Sequence, residues 1–276
     1  MRILSSAALP SVARRALSTA SIGWSSSITF ATLGTAITTL VLVPGLNVLF
    51  TVLLGADLAA NDTVRIGYAT ALIATLSSVA AGIVARVATD RWIGVFESVC
   101  TARPVDAGYW LGAAAVPALL ASVTGLSNVG IVWLLSLTAP STGAASGLLL
   151  GALLLMPVAV LGGVCLGIFA AGLGLYLSDP YTGSNFLSII LPVSAGVIVP
   201  VSTYPGWLAW LCSWVPGSRL VQALDTSGSI ASSTTPNFFA LLAADTALAV
   251  LYAAIGLGLT FLAARRIRAG ARASLL

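Results

Sequence analysis

Long apolar runs separated by short polar breaks set the pattern of this chain. Six such runs stand out, at about 27–54, 66–89, 109–138, 144–177, 185–203 and 238–264. An α-helix needs roughly 20 residues to cross a hydrocarbon layer of about 30 Å, so the pattern predicts an all-α polytopic membrane protein with six transmembrane helices. Glycine, proline, serine and threonine recur inside the runs. GAASG (143–147) and GGVCLG (162–167) around the fourth run mark places where small residues let helices approach closely.

Two stretches depart from this pattern. Between the second and third runs, six of the chain's charged residues fall within 86–106: Arg86, Asp90, Arg91, Glu97, Arg103 and Asp106. On a helix, Asp90, Arg91, Gly94, Glu97, Ser98 and Thr101 make one stripe, and Trp92, Val95, Phe96 and Val99 the opposite one. This predicts an amphipathic helix over about 90–103, ended or redirected by Pro104. Before the last run, Pro200, Pro205 and Pro216 break a long apolar stretch. Tyr204, Trp207, Trp210 and Trp214 follow at three, three and four residues, the spacing of a single helical face. An outer re-entrant or interfacial helix pair over about 204–235 fits these residues, as does a surface loop anchored by tryptophans in the headgroup layer.

Composition sharpens the picture. The chain is 58% hydrophobic and 7% charged, with a mean hydropathy of +1.05, so the lipid bilayer is its solvent and little is left for a soluble domain or a nucleic-acid surface. Every basic residue is arginine. With both termini inside, ten arginines fall on the inner side and only Arg65 and Arg219 outside, which predicts an N-in, C-in topology by the positive-inside bias. Residues 1–26, with Arg2, Arg14 and Arg15 and no acid, read as an interfacial lead-in helix, although a transit peptide shares those features. Residues 27–264 form the membrane domain and 265–276 a basic cytoplasmic tail.

Catalytic chemistry has little to work with. Histidine is absent, which removes the commonest general base and metal ligand, and Cys100, Cys165 and Cys212 make no CxxC pair. We therefore expect no catalytic site, metal site or cofactor in the chain. Asp245, about two turns into the last run, is the one clearly embedded ionisable residue; it is a candidate for a transport role, or can pair with Arg219 near the outer end.

Two ordered motifs resemble a known family. The D-R-x-x-G-x-x-E of Asp90–Glu97 followed by Arg103-Pro104, between the second and third runs, resembles the coupling helix of ABC-2 type permeases, the membrane subunits of ABC exporters. Pro200 to Pro205 with Trp207-Leu208, then Pro216, Gly217 and Arg219, resembles the family's region after the fifth span; Asp225 stands where an arginine is common. The likeness covers about residues 20–265. It implies a permease subunit of an ATP-driven exporter in a prokaryotic cytoplasmic membrane. The partners it implies are an ABC ATPase subunit and a second permease subunit, as homodimer or heterodimer. ATP and Mg would be bound by the partner ATPase, and the lack of any lysine agrees, because a P-loop needs one. By the same resemblance, Asp90, Arg91, Gly94, Glu97, Arg103 and Pro104 would couple to the ATPase. Pro200, Tyr204, Pro205, Trp207, Trp210 and Trp214 would form an outer gate. A path at the dimer interface, lined by residues such as Thr35, Thr38, Thr39, Val193 and Val197, would suit an amphipathic or lipophilic cargo: a drug, a lipid or a hydrophobic peptide. The rival reading is an ion-coupled secondary transporter, which would call for embedded charges and inverted repeats.

Overall fold

A computed structural model of the chain describes residues 11–27, 32–57, 62–102, 107–137, 142–227 and 235–269, and among these it is helical with no strand. Arg103 and Pro104 lie outside the described residues. The helices are α1 (Ser11–Ser25), α2 (Leu33–Asp57), α3 (Thr63–Trp92), α4 (Val95–Ala102), α5 (Ala107–Ser136), α6 (Thr142–Gly174), α7 (Thr182–Ser194), α8 (Gly206–Cys212), α9 (Ser218–Ser227) and α10 (Thr235–Arg268). Five of them, α2, α3, α5, α6 and α10, are long and apolar enough to cross a membrane, so the protein is a multi-pass membrane protein. Their limits follow the sequence-predicted runs to within several residues.

The fifth run behaves differently. Only Thr182–Ser194 is helical there, 13 residues or about 20 Å at a rise of 1.5 Å per residue. Gly196, with φ +69°, then turns the chain out of the helix, a conformation glycine adopts without the cost a side chain would bring. Pro200 and Pro205 each stand just before a new short element, the 3-10 turn Val201–Thr203 and α8. A continuous apolar run thus becomes several pieces, because the residues that break helices are concentrated at its end.

Three of the long helices pack in parallel. Gly163 and Gly167 of α6 face α3: a Cβ on Gly163 would lie 2.6 Å from the Leu76 carbonyl oxygen, and one on Gly167 3.0 Å from the Ala80 Cα. On the other flank of α6, Gly172 meets Gly256 of α10 backbone to backbone, and Phe169 stacks edge-on against Tyr252. In each pairing, residues rise together along the two chains, so α3, α6 and α10 share a direction. Small residues at these crossings are what allows such approach where lipid offers no hydrophobic drive. Between α6 and α10 the chain must therefore return to the starting end, and α7 lies along α3 on that return. Helix α5 runs against α3, with Gly67 facing Val132, Gly82 facing Pro117 and Asp90 bonded to Tyr109.

Helix α2 stands at the margin, with few buried residues. A π turn over Thr38–Leu42 widens it just ahead of Pro44, and the Val43 N–H reaches back to the Thr38 carbonyl. Proline cannot donate to the carbonyl four residues earlier and its ring crowds that group, so the wider turn accommodates it.

Candidate functional site

The polar residues of the chain gather at the two ends of α3. At its C-terminal end, the helix predicted over 90–103 is two elements, because Gly94 takes a φ of +74° and separates α3 from α4. The stripe read from the sequence is consequently split. Asp90 is 2% exposed, accepting a hydrogen bond from the Tyr109 hydroxyl at 2.9 Å and pairing with Arg86 at 3.2 Å. Arg91 turns toward α6 and donates through Nη1 to the carbonyls of Gly174 and Leu177, both at 2.8 Å. Those are carbonyls at a helix C-terminus, where a cation is favoured.

Helix α4 is anchored by Phe96 and Cys100, both fully buried, against the inner parts of α3, α5 and the C-terminal end of α10. Its outward side carries Ser98 and Thr101, with Glu97 half-buried beside them. Trp92, Ile93 and Val95 are exposed around the Gly94 break. Burial pushes the Cys100 thiol up to about 11, against the pull of Arg268 and with a small addition from Glu97. The thiol is therefore protonated at neutral pH and a poor nucleophile. Asp179 shapes the turn just ahead of α7, its carboxylate accepting from the Tyr181 N–H at 2.9 Å.

The other end of α3 is held by Arg65. Its guanidinium meets the Asp225 carboxylate at 2.7 and 3.0 Å through Nε and Nη2, and its Nη1 donates to the carbonyls of Gly196 and Val197. One side chain thus joins α3, the end of α7 and α9. Asp245, 2% exposed, accepts from the Gly217 N–H at 3.0 and 3.2 Å, and Arg219 reaches the neighbouring Ala244 carbonyl. Gly217 precedes α9 with φ +100°, so Asp245 satisfies a donor at a helix start, a task that accounts for an embedded carboxylate without a cargo.

The aromatic residues at this end lie on the surface. Trp207 and Trp210 are on α8 and Trp214 in the turn after it, each more than half exposed, with Trp210 and Trp214 edge to face at 6.1 Å. Tyr204 precedes α8 in extended backbone and donates to the Val193 carbonyl at 2.9 Å. Two short helices, α8 and α9, occupy this stretch.

The residues chosen for a path separate. Val197 is 2% exposed and packs in the core, so it lines no surface path. Val193 is exposed toward the Arg65 end of the bundle. Thr35 is spent on a capping box with Thr32 at the start of α2; Thr38 and Thr39 are exposed in the π turn that follows.

Arg65 and Asp225, the strongest polar joint found, escaped the sequence reading. Their only trace was the acid at 225 in place of the arginine that the resemblance leads one to expect. Among the described residues, no three acidic or thiol side chains cluster as metal ligands would. No family model and no curated protein matches the chain.

Proposed function

We propose that the chain is the permease subunit of an ATP-driven ABC exporter, carrying an amphipathic or lipophilic substrate across a prokaryotic cytoplasmic membrane, with ATP hydrolysed by a separate subunit. The observation that carries this reading is α4. It is a short helix set off by a glycine hinge between the second and third long helices, fastened by Phe96 and Cys100, with its polar side outward. A solvated loop would need neither anchor. Such a helix can receive a push from a partner and pass it to α3 and α5.

The layout agrees in two further ways. The shared direction of α3, α6 and α10 requires a return between the last two, which supports six crossings with the 182–197 segment as the short fifth. The arginines also sort by end: Arg86, Arg91, Arg265, Arg266 and Arg268 at one, Arg65 and Arg219 at the other. That supports the first group facing the cytoplasm. The sparsely buried α2 offers a face for a second permease subunit.

Glu97 and the exposed Trp92–Val95 turn are the expected ATPase contacts, while Asp90 and Arg91 hold the hinge from within. Co-purification from native membranes in mild detergent, followed by mass spectrometry, tests the reading. An ATPase subunit should accompany the wild-type chain and be lost from Glu97→Arg, with the variant still folded. Recovery of the chain without any ATPase under conditions that preserve its fold would overturn it.

A further inference from the structure

A cavity of about 720 Å³ lies among α1, α2, α3 and α5, with Ile93 and Val95 at the turn into α4 also among its lining residues. Its volume is within the roughly 300–1,000 Å³ range of small-molecule sites. Much of its wall is apolar, with Leu40, Val116 and Leu120 among the lining residues. Ser26, Thr39, Arg86, Thr89 and Asp90 give the wall its polar part.

The hydroxyls and the ion pair differ in what they offer. Ser26, Thr39 and Thr89 each donate their proton to a carbonyl of the preceding turn, at 3.2, 2.8 and 2.9 Å, which leaves oxygen lone pairs as acceptors. Arg86 gives one hydrogen bond to Ser26 Oγ at 3.3 Å and pairs with Asp90 at 3.2 Å. That pair is close but misaligned: Arg86 Nε and Asp90 Oδ1 are both buried without a hydrogen-bond partner among the described residues. Unused donor and acceptor capacity in a desolvated pair is costly, and a polar group entering beside it would recover part of that cost. The two charges cancel, so a charged head would arrive without a counter-ion.

We propose that this cavity binds a single-chain amphiphile whose uncharged head carries hydroxyl or amide groups. The chain lies against the apolar wall, the head's protons go to the hydroxyl oxygens, and its oxygens accept from the accessible edge of Arg86. Binding here needs neither an ATPase nor a second subunit, so it stands independently of the exporter reading.

The test uses the purified full chain in phosphatidylcholine nanodiscs, with radiolabelled monodecanoylglycerol as probe and empty nanodiscs as background. Saturable binding of about one probe per chain is expected, with decyl phosphate and decylammonium competing at least tenfold less well. Ser78→Phe, which fills the cavity from α3, should abolish it. The pair Thr39→Val with Thr89→Val should weaken it roughly threefold to tenfold, as lost hydrogen bonds do, and it decides the matter should Ser78→Phe fail to stay monodisperse. Binding no greater than to empty nanodiscs, equal competition by the charged amphiphiles, or unchanged binding in both folded variants would overturn the proposal.

Discussion

The two ends of α3 use the same device for different purposes. Each carries an arginine whose Nη1 holds two backbone carbonyls: Arg65 those of Gly196 and Val197, Arg91 those of Gly174 and Leu177. At the Arg65 end, a bidentate carboxylate is added and a second one, Asp245, fastens the start of α9. At the Arg91 end, the next carboxylate, Asp90, is turned toward Arg86 and the cavity, and a glycine with positive φ lies three residues beyond Arg91. One end is braced from three sides, and the other is hinged. On the exporter reading proposed above, that division would give a fixed outer frame and an inner end that can swing.

The sharpest way to break the comparison is to remove the brace. Arg65→Ala should destabilise the protein by about 2–4 kcal/mol, because it strips a partly buried pair and leaves two carbonyls without their donor; Asp225 is 39% exposed, which keeps the value below that of a fully buried pair. Thermal unfolding followed by size-exclusion chromatography measures it, and an effect no larger than that of Arg91→Ala would erase the asymmetry. Next in size is the glycine contact that fixes the frame. Gly163→Val should cost about 1–3 kcal/mol through overpacking against Leu76, read by the same assay.

Smaller effects bear on the individual groups. Asp245→Ala should cost about 1 kcal/mol, as a lost helix cap does, whereas on the proposed exporter reading Asp245→Asn should keep substrate export. Loss of export in a stable Asp245→Asn protein would return this residue to the transport path. Gly94→Ala meets no atom within 4 Å, so its penalty is the backbone alone, about 1 kcal/mol, detectable as a small fall in melting temperature. The least change is expected at Cys100. With its thiol raised to about 11 by burial, it should resist maleimide at pH 7.5 in the folded protein and react once the protein is denatured.

Much of the frame was legible in the sequence because length and hydropathy decide it. The runs at 66–89 and 109–138 became α3 and α5 with only a few residues' change at the ends. What sequence periodicity could not supply was direction and break. The stripe from Asp90 to Thr101 ignored that Gly94 can adopt a left-handed φ, which rotates Glu97 away from the line through Asp90 and Arg91. The fifth run read as one continuous helix because hydropathy averages over Gly196 and Pro200, the residues that cut it. Arg65 and Asp225 lie 160 residues apart, and no local pattern ties them. The cavity, likewise, gathers residues from five helices whose pairing only tertiary packing determines.

The two arginines of α3 also act as a length gauge. They are 26 residues apart in one helix, about 39 Å at 1.5 Å per residue, which exceeds the roughly 30 Å hydrocarbon core and approaches the 40–45 Å that includes the headgroups. Both guanidiniums therefore belong at headgroup depth, and both grip the ends of neighbouring helices. Bilayer thickness is then coupled to how firmly those ends are held: a thinner membrane draws lipid headgroups inward along α3, where they compete with the carbonyls for the arginines. The protein's working state should accordingly respond to the chain length of its surrounding lipids.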